Sequence, residues 1–439
     1  MEKPGQFSPR QQSRLIRSGL ACLLPLVGMA DGLAADRLAA RAAILAGEAG
    51  EHIAVLADDA FEGREGGRRG GRAAGVYIEQ VIAPLGFLPA GDRGSYFQSF
   101  TTSQGSLRNL LALLPGSDPA RSHELVVIGA HYDHVGYGNA RNSFGPFGFV
   151  HNGADDNASG VAGLIEIAEA LAALPQPPRR SVLLAFWDGE EQGLLGSKHF
   201  LRQRPAALAG LEIVFAINLD MIGRLRQRLE VFGTRSAVGL EQLITRANNL
   251  PEATALPLTF DWKVEPDSDH YSFLQRGIPT LMFHTGLHDD YHRPSDDVHL
   301  VNLVGLEPVI RLTFATLLAV ADSHAERFTF RRRCLSESNA SKRRLEAAAV
   351  LPADRPSRWG IGTRRDDANP AAPVVVAVRP GSPAARGGLK QGDRLLAIEG
   401  RPLDGQQAMV DHLREIPAGG KAAVQVAREG RLVELLWQD

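Results

Sequence analysis

Four continuous apolar runs, each ending in polar residues, constrain the fold of this chain most strongly. They are ELVVIGAHYD from Glu124, SVLLAFWDGEE from Ser181, EIVFAINLD from Glu212 and IPTLMFH from Ile278. Continuous runs of this length are typical of strands that are buried on both faces, as in a parallel sheet. Helical patterns lie between them, for example SGVAGLIEIAEALAAL from Ser159. Strands that alternate with helices predict an α/β fold, a three-layer sandwich with a mainly parallel central sheet.

Titratable side chains follow all four of these runs, where each predicted strand ends. The fourth run leads into a loop rich in histidine and aspartate, and the first three carry the candidate site residues. The carboxyl ends of parallel strands meet at one edge of a sheet, which is where open α/β sheets place their sites. A histidine with an aspartate two residues later offers a metal ligand and a carboxylate that can orient its ring. Two adjacent glutamates point in different directions, so one can bind a metal while the other moves protons. A single histidine or a solvated glutamate pair has a structural explanation, but repetition at successive strand ends favours a site. The residues are His131, Asp133, Glu190, Glu191 and Asp220.

The loop NGADDNASG, from Asn152 to Gly160, offers a second kind of metal ligand. An ionised aspartate has two oxygens, so Asp156 at the centre of this loop can contact one cation with each and bridge a two-metal site. Read alone, the same segment also fits a helix cap. The neighbouring strand ends favour the interpretation as a metal site.

Five segments in the same order identify a family resemblance. GAHYDHVG, NGADDNASG, GEEQGLLGS, NLDMIGR and HDDYHRPSDD occur along the chain, preceded by FEGREGG and YFQSF. Over roughly residues 45–320 the chain resembles the co-catalytic zinc aminopeptidases of the bacterial leucyl aminopeptidase and glutamate carboxypeptidase group. The resemblance implies the zinc exopeptidase fold and a cis peptide bond after Asp156.

The resemblance also implies how two zinc ions are held. One set of ligands is Asp156, Glu191 and His292. The other set is His131, Asp156 and Asp220, so that Asp156 bridges the two ions. Nitrogen and carboxylate ligands suit zinc, and three protein ligands per ion leave room for a shared water. By the same resemblance, Glu190 is the general base and Asp133 is the partner of His131.

The implied reaction is hydrolysis of peptides from the amino terminus by a metal-bound water that Glu190 deprotonates. Two alternatives share the fold: a carboxypeptidase, and a glutaminyl cyclase that uses one zinc ion for a transfer reaction. A third is a catalytically silent binding protein that acts through its C-terminal region. The complete set of ligands and base argues against a silent protein.

The C-terminal region predicts a second, smaller domain. Residues 326–356 are basic and polar, which indicates a solvated linker between a metallopeptidase domain at residues 36–325 and a domain at residues 357–439. Short β-rich runs and one helical pattern predict a β-rich α+β fold there. This region resembles a PDZ domain of the bacterial protease type, with WGIG from Trp359 as the carboxylate-binding loop. The resemblance implies that it binds peptide C-termini, whereas the alternative is a structural cap.

The first 30 residues predict a secretory signal peptide, because arginines precede a short apolar run that ends in small residues. We therefore expect a periplasmic or secreted protein. We expect no later segment to reach the roughly 20 apolar residues of a membrane span, and therefore no stable membrane insertion after signal removal. Cleavage would leave Cys334 as the only cysteine, which excludes an internal disulfide.

The overall charge bears on possible partners. The formal net charge is −2, which lacks the excess of positive charge that polyanion-binding proteins carry. Nucleic acid is therefore not an expected partner, whereas the family resemblance implies peptides as substrates.

Overall fold

The computed structural model describes residues 36–103, 105–250, 255–324, 327–348, 358–365, 371–428 and 431–439. The predicted signal peptide and its cleavage site lie outside the described residues. Two sheets organise the described part of the chain, one of nine strands and one of six.

The nine-stranded sheet contains the four apolar runs as its centre. Its strands are β1 (Leu88–Pro89), β2 (Phe97–Thr102), β3 (Gly105–Leu114), β4 (Glu124–His131), β5 (Ser181–Trp187), β6 (Glu212–Leu219), β7 (Leu229–Phe232), β8 (Leu258–Asp261) and β9 (Thr280–His284). The spatial order is β1-β3-β5-β4-β6-β9-β7-β8, with β2 paired to β3. The central strands β5, β4, β6 and β9 are mutually parallel. Towards the edges, β3 is antiparallel to β5, and β7 is antiparallel to β9.

Helices cover both faces of this sheet. Residues 36–42 are helical, and the helices that follow are α1 (Ala46–Leu56), α2 (Arg69–Ile82), α3 (Gly160–Ala172), α4 (Leu195–Arg202), α5 (Leu240–Asn248), α6 (His270–Gln275) and α7 (Leu303–Ala321). In β4, Val126 and Ile128 pack in the core that includes α1, α2, α3, α5 and α7. Their neighbours Leu125 and Val127 pack in a separate core with α4 and α6. Since side chains alternate between the faces of a strand, this division confirms the predicted three-layer α/β sandwich.

Helix α7 is longer and more apolar than the sequence predicts for any segment after the signal peptide. Among the described residues it is the one helix with the length and composition of a membrane span. However, 61% of its apolar window is buried inside the fold, and Leu306, Ile310 and Phe314 lie fully within the core. A core helix of a large domain has the same composition.

Residues 327–348, which were predicted as part of a solvated linker, contact the first domain. The amide of Arg331 donates to the carbonyl of Ser236 at 2.7 Å. Helix α8 (Asn339–Ala348) begins with Asn339, whose side-chain oxygen accepts a hydrogen bond from the amide of Trp262 at 3.0 Å. Lys342 donates to the carbonyl of Phe260 at 2.8 Å. Of these three contacts, only that of Lys342 uses a basic side chain, so the charge of the segment does not predict how it contacts the first domain.

The second sheet forms the C-terminal domain. Its strands are β10 (Ile361–Arg364), β11 (Val374–Val378), β12 (Arg394–Ile398), β13 (Arg401–Pro402), β14 (Lys421–Arg428) and β15 (Arg431–Gln438), and its helices are α9 (Pro383–Arg386) and α10 (Gln406–Glu415). All of its strand pairs are antiparallel. Trp359, Val375, Leu395 and Trp437 pack together in a core of its own. The predicted β-rich runs and the predicted helix coincide with β11, β12, β14 and α10.

Candidate metal centre

Neighbouring parallel strands deliver the predicted residues to one edge of the sheet. His131 is the last residue of β4, and Asp220 directly follows β6. Glu190 and Glu191 lie in the turn after β5, and His292 lies in the loop after β9. Because β5, β4, β6 and β9 are adjacent and parallel, residues far apart in sequence lie side by side here.

Asp156 lies between two groups of possible metal ligands. Its Oδ2 is 3.1 Å from His292 Nε2, and that same nitrogen is 3.1 Å from Glu191 Oε2. Its Oδ1 is 3.4 Å from His131 Nε2, which is 3.5 Å from Asp220 Oδ1. The two oxygens of Asp156 therefore face different groups. This is the arrangement that a bridging carboxylate requires.

The donors present fit zinc. In each group, ligand atoms lie within 4.8 Å of one another, and all are imidazole nitrogens or carboxylate oxygens. Asp156 is 3% exposed and Asp220 is 6% exposed, and carboxylates buried this deeply require compensating positive charge. Imidazole and carboxylate ligands with few donors per ion are those that zinc sites use.

Asp296 and Asn157 hold the loop that carries Asp156. The carboxylate of Asp296 accepts hydrogen bonds from the amides of Asp155 and Asp156, at 3.1 and 3.0 Å. The side chain of Asn157 donates to the carbonyl of Leu219 at 2.9 Å, which ties the loop to the end of β6. The peptide bond between Asp156 and Asn157 is cis, as the family resemblance implies.

Arg64 holds the same loop from the other side. Its side chain is fully buried, and its guanidinium donates to the carbonyls of Tyr132 and Gly153, at 3.0 and 2.8 Å. Burial lowers the pKa of Arg64 to about 10, so it remains a cation at neutral pH. Gly153 has a φ of 56°, and a Cβ there would lie 2.1 Å from the carbonyl oxygen of Asp156. Only glycine fits this close approach.

The carboxylate of Asp133 lies closer to the backbone amides of the two glutamates than to the imidazole of His131. Its carboxylate accepts hydrogen bonds from the amides of Glu190 and Glu191, at 3.0 and 3.3 Å. His131 Nδ1 lies 3.8 Å from this carboxylate but 3.1 Å from the backbone carbonyl of Asp133. The carboxylate was predicted to orient the histidine ring. In the structure the carbonyl makes that hydrogen bond, because the carboxylate oxygens already accept the two amides.

Glu190 and Glu191 have opposite electrostatic environments. Burial raises the pKa of Glu190 well above its usual range, and the nearby carboxylates of Glu191 and Asp269 add to this effect. For Glu191, burial favours the neutral form, but His292 and His134 outweigh it and lower the pKa to about 2. Glu191 is thus held as an anion, whereas Glu190 has a high affinity for a proton.

Two residues of the site were not among the predicted ones. His134 Nδ1 lies 2.9 Å from Glu191 Oε1 and 3.7 Å from Asp156 Oδ2, so it belongs to the same group as His292. The ring of Tyr291 stacks on the imidazole of His292, with centroids 3.9 Å apart. His134 follows His131 by three residues at the same predicted strand end, but the sequence pattern assigns it no role. No pattern in the sequence singles out Tyr291.

Comparisons with known proteins identify both domains. Residues 109–317 match the model of Peptidase family M28, and residues 358–436 match the model of a PDZ domain. The chain is 28% identical to Leupeptin-inactivating enzyme 1 of Streptomyces exfoliatus, over 52% of this chain and 45% of that protein. It is 26% identical to the Probable lipoprotein aminopeptidase LpqL of Mycobacterium tuberculosis, over 64% of this chain and 53% of that protein. The chain thus spans about half the length of these curated relatives.

Solved structures share the fold. The LapA aminopeptidase of Legionella pneumophila superimposes with a TM-score of 0.53 at 19% identity, over 65% of this chain and 74% of that chain. BSAP, a zinc aminopeptidase from Bacillus subtilis, superimposes with a TM-score of 0.50 at 16% identity, over 64% of this chain and 97% of that chain. The chain therefore carries a Peptidase family M28 domain followed by a PDZ domain.

Proposed function

We propose that this chain is a zinc-dependent aminopeptidase that removes N-terminal residues from peptides. The observation that carries the proposal is the position of Asp156, whose two oxygens lie 3.1 and 3.4 Å from histidines of two different groups. LpqL, LapA and BSAP are each described as an aminopeptidase, and this similarity supports the same activity.

In this proposal Asp156 bridges two zinc ions. Glu191 and His292 complete the ligands of the first ion, and His131 and Asp220 complete those of the second. When bound, zinc supplies a Lewis acid for the scissile carbonyl and lowers the pKa of a coordinated water. The opposite positions of the two Asp156 oxygens favour two ions over the single ion of a cyclase.

Glu190 is the proposed general base. Its raised pKa suits a group that takes a proton from the attacking water and returns it to the departing amine. Asp133 accepts hydrogen bonds from the amides of both glutamates and so fixes the turn from which their side chains project. The proposed role of Asp133 is therefore to position Glu190 and Glu191.

The decisive experiment uses one peptide sequence in three forms: unmodified, N-acetylated and C-amidated. We expect the zinc-loaded protein to cleave the unmodified and C-amidated forms and to leave the N-acetylated form intact. The opposite selectivity would indicate a carboxypeptidase. Cyclisation of an N-terminal glutamine without release of a residue would indicate a glutaminyl cyclase. The Glu190→Gln variant, purified in the same way, is the control, because a contaminating peptidase would cleave the peptides equally in both preparations.

Export is part of the proposal. The N-terminal pattern of a signal peptide and the lipoprotein named among the relatives support a periplasmic or secreted location. Cleavage after Ala30, Ala34 or Ala35 would start the mature protein between Asp31 and Asp36. N-terminal sequencing of the exported protein tests this prediction, and an intact Met1 on cytoplasmic protein would contradict it.

The proposed role of the PDZ domain is capture of peptide C-termini. The first two residues of the WGIG segment, Trp359 and Gly360, precede β10, which begins at Ile361, and Gly360 has a φ of 71°. Backbone amides in such a turn can bind a carboxylate beside an added strand. We propose domain boundaries at residues 36–325 and 357–439.

A further inference from the structure

Three phenylalanines near the metal centre project into solvent. Phe144, Phe147 and Phe149 are 64%, 52% and 60% exposed, and they are the only exposed phenylalanines among the described residues. We call residues 143–149 the aromatic loop. Apolar side chains concentrated on a surface in this way are typical of binding sites, and the proposed chemistry assigns them no role.

The aromatic loop is attached directly to the loop that carries His292. The amide of Phe144 and the hydroxyl of Ser143 both donate to the carbonyl of His292, at 3.1 and 3.0 Å. Arg293 donates to the carbonyls of Phe144 and Gly145, at 2.9 and 3.1 Å. The aromatic loop is therefore held in a defined position next to a proposed metal ligand.

The rings form a continuous path from the metal centre to the surface. Tyr291 stacks on His292, and the ring of Phe144 lies 6.1 Å from Tyr291 and 6.4 Å from the imidazole of His292. Tyr291 and His292 are partly buried, while Phe144 is mostly exposed. A peptide bound at the metals would meet this path as it leaves the site.

The direction of the path indicates which part of a substrate it contacts. The amino terminus of an aminopeptidase substrate lies at the metal centre, because the first residue is the one removed. The rest of the peptide must extend outwards to solvent. Exposed side chains at the rim are therefore placed to contact residues that follow the scissile bond.

We propose that the aromatic loop is a subsite for apolar side chains at the second and third positions of the peptide substrate. This inference rests on the proposed aminopeptidase function and adds to it a preference for particular side chains after the first residue of the substrate. Aromatic side chains offer large apolar faces at a low cost in conformational entropy, and they pair favourably with other aromatic or aliphatic groups. The preferred substrates are thus peptides whose second and third residues are apolar.

The test compares two peptides that differ only at these positions, Leu-Phe-Phe-Ala-Gly and Leu-Ser-Ser-Ala-Gly. We expect the wild-type protein to have the higher kcat/KM for the first peptide. In the double variant Phe147→Ser/Phe149→Ser, which keeps Phe144 against His292, the ratio of the two kcat/KM values should fall by about threefold to tenfold, the range of one or two aromatic contacts. Using the ratio cancels any general loss of activity.

Two further variants make the test specific. Phe144→Ser should lower the same ratio, and Val304→Ser should leave it unchanged, because Val304 is 87% exposed in the first turn of α7. If the ratio stays at the wild-type value in both phenylalanine variants, the subsite does not exist. Failure of the wild-type protein to cleave either peptide would instead refute the proposed function.

A second copy of this chain is the other possible occupant of the aromatic loop, and size-exclusion chromatography of the same proteins tests for it. We expect the phenylalanine variants to elute as the wild-type protein does. A wild-type dimer that the double variant converts to a monomer, with an unchanged ratio, would show that a second copy covers the aromatic loop, and the proposal would be wrong.

Discussion

The adjacent glutamates Glu190 and Glu191 differ in their affinity for a proton because different side chains surround them. Glu191 lies within 3.1 Å of His292 and 2.9 Å of His134, which hold it as an anion. Burial and nearby carboxylates give Glu190 a raised pKa instead. Substituting each of them with glutamine should therefore cause a different failure.

The Glu190→Gln variant should keep its metal and lose turnover. Glutamine has the shape of the original side chain but cannot accept the proton of water, so kcat should fall by roughly 10²–10⁴-fold, the usual contribution of a general base. Metal content by elemental analysis and kcat on an aminoacyl amide are the two measurements. Loss of zinc, or full activity with zinc bound, would contradict the proposed role.

The matched variant Glu191→Gln should fail through metal binding. A neutral amide replaces an anionic ligand, so the affinity for zinc should drop and excess zinc should restore part of the activity. Added zinc should not rescue Glu190→Gln. Equal behaviour of the two variants would mean that the roles of this pair are wrongly divided.

The Asp156→Ala variant should lose both metal ions. Removing the bridge takes one ligand from each ion, and each proposed set of three ligands would be left with two. Elemental analysis of the purified variant, beside a wild-type sample dialysed in parallel, measures the effect. A variant that retained two ions per chain would show that Asp156 is not the bridge.

At the scale of single residues, sequence patterns could predict what each strand end carries but not what each side chain contacts. His131, Asp156, Glu191, Asp220 and His292 are brought together as the family resemblance implies; their roles as ligands stay a prediction. The preference of Asp133 for two backbone amides depends on the turn after β5, which no local pattern encodes. The same holds for the stacking of Tyr291, which depends on the fold of its own loop.

At the scale of elements, the sequence predicts the buried central strands of the sheet but not the strands near its edges. The strands β4, β5, β6 and β9 are covered on both faces, so their sequences are continuously apolar. The strands β7 and β8 have four residues each, which is too short for a clear alternation. Residues 327–348 dock through partners that are distant in sequence, such as Ser236 and Phe260. The local run of charges does not reveal these partners, and by itself it predicts a solvated linker.

An acidic pH should release residues 327–348 from the first domain. Burial favours the neutral form of Glu337, but hydrogen bonds from Arg331 and Arg235 outweigh it and lower the pKa to about 2, from an ordinary value of 4.5. Because the folded pKa is the lower one, the stabilisation is present above pH 4.5 and is lost as the pH falls towards 2. Hydrogen exchange at the Arg331 amide, corrected for intrinsic rates, should show the loss of protection in this window.

The Glu337→Gln variant tests at neutral pH whether the ion pairs of Glu337 hold residues 327–348 against the first domain. Cys334 is 1% exposed within the docked segment, so undocking exposes its thiol. We expect faster alkylation of Cys334 in Glu337→Gln than in Glu51→Gln, a substitution of an exposed glutamate on α1. Equal alkylation rates in the two variants would show that the ion pairs of Glu337 do not hold the segment.

At the scale of the whole molecule, deleting residues 357–439 should separate chemistry from substrate capture. All proposed metal ligands precede the linker, and the second domain has its own core. Hydrolysis of small aminoacyl amides should therefore persist, while kcat/KM on longer peptides changes. An equal loss on both kinds of substrate would show that the PDZ domain supports the structure of the peptidase domain.

The distribution of the candidate ligands along the chain, from residue 131 to residue 292, also sets an order of events during synthesis. A nascent chain emerges from its amino end, so His131, Asp156 and Asp220 are all available before His292 has been made. Asp296, which holds the Asp156 loop, is made later still. A ribosome-bound fragment that stops before residue 292 would therefore lack one of the ligands proposed for the first ion. On the proposed mechanism, activity would therefore require synthesis of almost the whole first domain.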